Sequence, residues 1–278
     1  RAPARCCTFP QVTMRDAIQP QAGLFDEPGE PDCVQASYHA GLDATRRLDR
    51  DEQRALGQYM TPVPIARMMT LRAVRFAAHR DTMRVLDPAA GSGVLAAAAV
   101  EALLDQPARP RRIELLLYEI DRRFAPILTT LCRSLGQRCM QRGVQFESKL
   151  ACEDFRLSDL ARQQVPAVDL AIANPPYFKL AKSDRRSQAH AYAVHGQPNI
   201  YGLFMAACAS LVRAGGGWCF ITPRSWTSGD YFAAVRRHLL GRLGLCALHA
   251  FDSRTAHFAD DEVLQEALIT WAQAAPAP

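Results

Sequence analysis

The segment that carries the most chemistry is Asn174-Pro175-Pro176-Tyr177, directly after the short apolar run Val168 to Ala173. Each proline fixes its own φ and together they hold Asn174 extended, so the tetrapeptide reads as a rigid arch with an amide side chain and a following ring. Prolines also lack N–H donors, which leaves the local carbonyls open as acceptors. An amide oxygen and a proline carbonyl can together accept both bonds of one exocyclic NH₂ group, with the ring of Tyr177 stacked on the attached heterocycle. The competing reading is an Asn-initiated turn without chemistry.

A second constellation is Asp87-Pro88-Ala89-Ala90-Gly91-Ser92-Gly93. Glycines there permit a sharp turn and close approach of a ligand to the amides of a helix start, while an acid at a strand end holds a cationic or hydroxylated group. The same heptapeptide also serves as a plain tight turn, and it is no phosphate loop because Gly-Lys-Ser/Thr is missing. Glu119 follows the next apolar run, in Tyr118-Glu119-Ile120-Asp121. Beyond the carboxyl end of a parallel strand, such an acid is placed to accept from both hydroxyls of a ribose, or else it is a solvated strand end. Asp154-Phe155 stands in the corresponding place after a third strand. It offers a carboxylate to an adenine amino group and a ring to the base, or forms a turn with a core phenylalanine.

The elements that must position these residues follow from pattern. Arg84 to Leu86, Ile113 to Tyr118, Val168 to Ala173 and Trp218 to Thr222 are short apolar runs, alternating with helical stretches over Val94 to Leu104 and about Arg122 to Met140. Fully apolar strands alternating with helices imply an α/β protein with a parallel sheet covered on both faces. A helix is expected to end at Gly215-Gly216-Gly217, and Leu245 to Phe251 and Val263 to Trp271 are strand candidates at one edge of the sheet. Upstream, five prolines in residues 1–35 read as a loop-rich arm, followed by a polar helix from about Ala36 to Ala55. Thr61 is a candidate cap for the helix after it, with Pro62 and Pro64 in the first turn.

Composition sets bounds. The 278 residues, 49% hydrophobic and 22% charged, suffice for a sizeable core and set aside disordered, collagen-like and coiled-coil classes. The longest apolar stretch, Val94 to Leu104, is too short to cross a bilayer, so no membrane partner is expected. Residues 1–10 lack the apolar centre of a secretory signal, which makes the cytoplasm the expected location. Nine cysteines without a CxxC pair, and histidines without ligand spacing, point to no metal site. The net charge of +5 permits a polyanionic partner without demonstrating one.

Taken together, these residues resemble the S-adenosylmethionine-dependent amino-methyltransferases, specifically the gamma-group N6-adenine DNA methyltransferases of restriction–modification systems. The resemblance runs from about Leu56 to Ile269 through GQYMTP, DPAAGSG, YEID, EDF, NPPYF, NIYGLF, GGGWCFITPRSW and VLQEALI. NPPY alone is shared with methylases of a protein glutamine and of guanine in RNA, and an inactive DNA-binding subunit of the same fold is a further alternative. Gln58 to Pro62 and Pro223-Arg224-Ser225-Trp226 point to the DNA adenine enzymes.

The resemblance implies a Rossmann-like methyltransferase fold, a mostly parallel seven-stranded sheet with helices on both faces, over residues 51–278, behind an arm and helix over residues 1–50. It implies S-adenosyl-L-methionine as cofactor, with Thr61, Pro62, Asp87, Ala89, Gly91 and Gly93 toward its methionine end. Glu119 would bind the ribose, Asp154 the adenine amino group and Phe155 would pack on the adenine, with Ile120 also among the cofactor-binding residues. Asn174, Pro175, Pro176 and Tyr177 would form the catalytic site. The substrate implied is double-stranded DNA with an extruded adenine, walled by Tyr177 and by Phe232, with Tyr231 a close competitor. Lys179, Lys182, Arg185 and Arg186, in the loop Phe178 to Pro198, are placed for backbone phosphates, although an ordinary solvated loop reads the same way. Only Ala272 to Pro278 follow the last matching segment, so target recognition, and any restriction activity, is expected in a separate subunit or in chain beyond this sequence.

Overall fold

A computed structural model describes residues 32–46, 60–251 and 267–275. The arm over residues 1–31, the end of the expected upstream helix, Gln58 and Tyr59, and the first residues of the last expected strand lie outside the described residues.

The sheet has seven strands: β1 (Thr82–Asp87), β2 (Arg112–Tyr118), β3 (Gln145–Ala151), β4 (Val168–Ala173), β5 (Val212–Pro223), β6 (Leu243–Ala250) and β7 (Ala267–Ala274), in the order β3-β2-β1-β4-β5-β7-β6. All neighbours pair in parallel except β7, which runs antiparallel between β5 and β6. The apolar strands divide their side chains by parity between two cores. Val85, Leu115, Leu117, Leu170, Ile172, Cys219 and Ile221 face one layer, and Leu86, Tyr118, Ala171, Ala173, Trp218 and Phe220 face the other. This two-faced burial is why the strands read as unbroken apolar runs.

On the first face lie α1 (Cys33–Thr45), α2 (Val63–Phe76), α3 (Val94–Leu104) and α4 (Ala125–Gln141). On the second lie the short α5 (Asp159–Gln163), α7 (Ile200–Leu211) and α8 (Ala233–Leu240). The one-turn α6 (Arg185–Ala189) belongs to the connection between β4 and α7. Helix α3 is apolar nearly all round because α1, α2 and α4 wrap it against the sheet, and only Glu101 keeps partial access, near Arg138. The expected upstream helix begins at Cys33, where Asp32 caps it by accepting from the Val34 and Gln35 amides. Four cysteines, at 33, 139, 208 and 219, are small core residues, while Cys152 is exposed.

One expectation needs correction. Helix α7 ends at Leu211, and Gly215 to Gly217 lie inside β5 rather than at a helix terminus. The strand passes so close to its neighbours there that a Cβ on Gly216 or Gly217 would meet the backbone oxygens of Asp169 or Ala73 at 2.9 and 3.0 Å. The last two strands do close one end of the sheet, but only β6 is an edge. Strand β7 is buried on both faces, with Trp271 fully covered and its indole N–H donating to the Met69 carbonyl of α2 at 2.9 Å. Strand β3 shows no apolar run at all, because as the other edge strand it is largely solvated.

The order of strands reverses between β1 and β4, opening a crevice at their carboxyl ends. Register aligns Asp87 with Leu117 and Leu86 with Ala171, so Asp87, Glu119 and Asn174 leave the sheet at the same end.

Candidate functional site

A cavity of about 420 Å³ opens at that end. Thr61, Asp87, Ala89, Gly91, Glu119 and Ile120 line it, joined by Asp154, Phe155, Asn174 and Pro176. Pro62, Gly93, Pro175, Tyr177, Lys179, Lys182 and Phe232 are not part of its wall.

The glycine turn is built into the neighbouring strand. The Ala90 amide donates to the Tyr118 carbonyl at 2.9 Å, and the Gly91 amide to Glu119 Oε2 at 2.7 Å. Glu119 Oε1 accepts from the Asp121 amide at 2.8 Å, so this carboxylate is clamped at both oxygens, and burial raises its pKa. Gly93 starts α3 with φ +88°. A Cβ on it would lie 2.3 Å from Leu131 and 2.9 Å from Leu128 of α4, so this glycine serves backbone geometry and helix packing. Gly93→Ala is expected to cost about 3 kcal/mol, from a left-handed conformation plus overpacking. Thermal unfolding should show it as a melting temperature lower by roughly 6–12 °C.

Asp87 is buried at the end of β1, with Oδ1 accepting from the Ala89 amide at 3.3 Å. Loss of hydration, with a smaller contribution from Glu119, lifts its pKa to about 7. Among the described residues no lysine or arginine forms an ion pair with it. A carboxyl desolvated against a cavity, with amides of a helix start beside it, suits a ligand bearing a cationic group. Ile120, 61% exposed beside Glu119, adds an apolar surface of the kind a base lies on.

Asp154 is held more tightly than the sequence suggested. Its Oδ1 accepts from the Arg156 amide at 3.1 Å and Nε at 2.7 Å, and its Oδ2 from Arg156 Nη2 at 2.6 Å. Arg156 is itself buried, with its guanidinium 4.7 Å from the Phe204 ring centre. Burial works against its charge and Asp154 sustains it. Phe155 is 1% exposed, stacked on Phe204 at 6.0 Å and edge-on to Tyr118 at 5.2 Å, so it meets the cavity from within the core. Arg156 was overlooked by sequence reasoning, yet a signal existed. The spacing Asp-x-Arg recurs at 121/123, 154/156 and 184/186, and in each the aspartate caps a short turn while the arginine two residues on bonds back to it. Arg186, grouped above with phosphate-contacting residues, is thereby paired with Asp184 and lines the cavity. Lys179, Lys182 and Arg185 are exposed.

The histidines, given no role from sequence, include one that matters for this connection. His190 is fully buried, and its Nε2 lies 2.9 Å from the Arg156 carbonyl. A carbonyl only accepts, so Nε2 carries the proton and Nδ1 accepts from the Tyr192 hydroxyl at 3.1 Å. The connection between β4 and α7 is thus fastened to the turn that bears Asp154.

Asn174 follows β4 and lines the same cavity as Gly91, with its amide spanned by two hydroxyls. Nδ2 donates to Thr61 Oγ1 at 3.1 Å, and Oδ1 accepts from the Tyr177 hydroxyl at 2.7 Å. The same hydroxyl lies 3.0 Å from the Ile221 carbonyl, so its single proton is shared between two acceptors, and burial drives its pKa upward, so it stays protonated. Thr61 does not cap α2; Pro62 occupies the cap position and the threonine hydroxyl turns to Asn174 instead. The Tyr177 ring meets Tyr201 edge-on at 5.9 Å, and Tyr201 stacks on Phe232 at 5.4 Å. Tyr231 stands 65% exposed against Gly196. Of the two competitors, Phe232 is the one joined to Tyr177 through an aromatic ladder. Among the described residues no group of three or more His, Cys, Asp or Glu is arranged to hold a metal ion, and no helix is long and apolar enough to cross a membrane.

Residues 137–258 match the family described as Eco57I restriction-modification methylase. The chain is 32% identical over 225 residues to the Type II methyltransferase M.BsuBI of Bacillus subtilis, covering 77% of this chain and 43% of that protein. Over this span it is similar to restriction–modification methylases. The Type II methyltransferase M.PstI of Providencia stuartii is 30% identical over 230 residues, covering 81% of this chain and 44% of the relative. The chain therefore spans less than half the length of these methylases. Among solved structures, the type IIG restriction endonuclease BpuSI superposes with TM-score 0.61 and 20% identity over 87% of this chain and 28% of its own. A putative class I S-adenosylmethionine-dependent methyltransferase from Listeria monocytogenes gives TM-score 0.57 and 13% identity over 88% of each chain. At these identities the superpositions speak for the fold, which is the Rossmann-like methyltransferase fold expected from the sequence.

Proposed function

We propose that this chain carries the catalytic part of a site-specific DNA methyltransferase that transfers a methyl group from S-adenosyl-L-methionine to the N6 amino group of adenine, as the modification activity of a restriction–modification system. The observation that carries the reading is the amide of Asn174, gripped at both ends, on the same cavity as Asp87 and the Gly91 turn. The cavity suits the cofactor on its own terms: an uncompensated buried carboxyl for a cationic group, a clamped acid for hydroxyls, and an exposed apolar side chain for a base. Asp87 and Gly91 would hold the methionine end, Glu119 the ribose, Ile120 the face of the base, and Asp154 the adenine amino group. When bound, the cofactor supplies an electrophilic methyl group on a sulfonium.

The chain's own residues address the poor nucleophile. The exocyclic nitrogen of adenine has its lone pair delocalised into the ring. Acceptors for both N–H bonds of a pyramidal nitrogen favour localisation of that lone pair. Asn174 Oδ1 offers an amide acceptor, and Pro175, with no N–H, contributes a carbonyl. Acceptors fixed in place before reaction match the transition state better than the ground state, which is electrostatic preorganisation. A paired base is out of reach, so it must be extruded at a cost of a few kcal/mol, offset by stacking in which Tyr177 and Phe232 would take part. Lys179 and Lys182 would meet phosphates beside it.

The test is radiolabelled methyl transfer from the cofactor to bacterial genomic DNA, with RNA and protein as parallel substrates and nucleosides resolved after digestion. Label in N6-methyladenine is expected. Label in protein glutamine, RNA guanine or N4-methylcytosine overturns the adenine assignment, and cofactor binding without transfer favours a DNA-binding subunit.

A further inference from the structure

We infer that Arg156 is a positioning residue that, acting through Asp154, makes the adenine end of the cavity selective for a base with an exocyclic amino group; the inference rests on the cofactor reading of that cavity. Asp154 and Arg156 both line the wall. An ionised carboxylate offers about four acceptor positions and no donor. Asp154 Oδ1 accepts two bonds, from the Arg156 amide at 3.1 Å and Nε at 2.7 Å, and Oδ2 accepts one, from Nη2 at 2.6 Å. The acceptor position left over is on Oδ2, and the two parallel bonds from the guanidinium fork fix the plane in which it lies. A fixed acceptor of this kind bonds an N–H of an amino group and repels the oxygen of a 6-oxo base.

The clasp at 154/156 differs from its two counterparts. The side chains of Arg123 and Arg186 are 43% and 26% exposed, whereas that of Arg156 is 4% exposed. Its Nη1 is buried with no hydrogen-bond partner among the described residues, and an unpaired buried donor is destabilising. Capping the turn needs only the bond from the Arg156 amide to the Asp154 carboxylate. A guanidinium with no further task would lie in water, as that of Arg123 largely does. Instead Arg156 is held along its whole length. Its head grips Asp154, its planar group lies 4.7 Å from the Phe204 ring centre, and its carbonyl accepts from His190 Nε2 at 2.9 Å. A side chain fixed at head, face and backbone transmits that fixity to the carboxylate it embraces.

Arg156→Lys keeps a positive charge beside Asp154 but replaces the planar fork with a point donor, and Arg156→Met keeps a buried stem without charge. The measurement is calorimetric binding of S-adenosylhomocysteine and of S-inosylhomocysteine, which carries a 6-oxo group and a proton on N1. Wild type is expected to favour the adenosyl ligand by roughly a hundredfold, from a charged bond made in one case and oxygen facing oxygen in the other. Lys should lower that ratio by about tenfold, chiefly through weaker binding of the adenosyl ligand. In Met the freed carboxyl can turn, or take a proton and donate, so the ratio should come within about threefold of unity. Met also strands a buried carboxyl, so if it does not fold, Lys decides the matter. A wild-type ratio in Lys, with or without an equal fall in both affinities, gives Arg156 a purely structural part and overturns the inference, as does a wild type that takes both ligands alike. These constants involve no DNA, so failure of methyl transfer in the radiolabel assay would strike the proposed function and leave selectivity at Asp154 to be decided by binding. Absence of S-adenosylhomocysteine binding would remove the cofactor reading and this inference together.

Discussion

Asn174→Ala is expected to lower methyl transfer to DNA by about a hundred- to a thousandfold, the effect of removing one preorganised partner worth roughly 3–4 kcal/mol in the transition state. Cofactor affinity should change far less, because the amide is committed to Thr61 and Tyr177 on the side of the arch. The cavity keeps Asp87, the Gly91 turn and Glu119 intact in that variant. Single-turnover rates at saturating cofactor, beside calorimetric binding of S-adenosylhomocysteine, separate the two quantities. Equal losses in both would make Asn174 a part of the binding wall and remove it from the chemistry.

The second large effect belongs to Asp87. Its carboxyl moves from an ordinary 3.8 to about 7 on folding, so between those values the folded chain holds a proton that the unfolded chain has released. Stability therefore declines as pH rises from about 4 to 7 and levels off above. Binding of a cationic ligand group works in the opposite sense, since it favours the ionised carboxylate. Affinity should climb with pH up to about 7, by at most about tenfold per unit, and stay flat beyond. Glu119, also raised by burial, steepens the acid side of this profile. Asp87→Asn should weaken S-adenosylhomocysteine at pH 8 by roughly ten- to a hundredfold, from a charged bond worth about 1.5–3 kcal/mol, and flatten the profile. The same variant should lose the decline in stability toward neutral pH. Calorimetric titrations at several pH values check the first outcome, and chemical denaturation over the same range the second. An unaltered profile in Asp87→Asn would place the titrating group elsewhere.

Much of this arrangement was legible from residue types alone, for reasons specific to each element. Strand β4 is buried on both faces along its length, and β1 and β2 toward their carboxyl ends, and double burial writes itself as an unbroken apolar run. Helix α3 matches its expected span residue for residue because it begins at a glycine turn and stays apolar throughout. Strand β3 left no such trace, being a solvated edge. The glycines of β5 misled because a glycine run reads as a terminus, whereas here it answers crowding by Ala73 and Asp169. At the site, the clustering of Asp87, Glu119, Asp154 and Asn174 follows from their common position after parallel strands. Which way Thr61 turns did not, because a hydroxyl before a proline serves equally as a helix cap or as a partner to a residue 113 positions away. Likewise Arg156 and His190 act through contacts between segments remote in sequence.

The Asp-x-Arg clasps carry a consequence for how the molecule looks to a distant polyanion. Arg123, Arg156 and Arg186 each have their charge cancelled within three residues by the aspartate they embrace. A tally of basic residues around the crevice therefore overstates the field it projects, since a neutral dipole fades over a few ångströms where a lone charge persists for about a Debye length. Long-range attraction falls to side chains such as Lys179, Lys182 and Arg185, which carry no ion pair among the described residues and stand on the one connection that leads away from the arch.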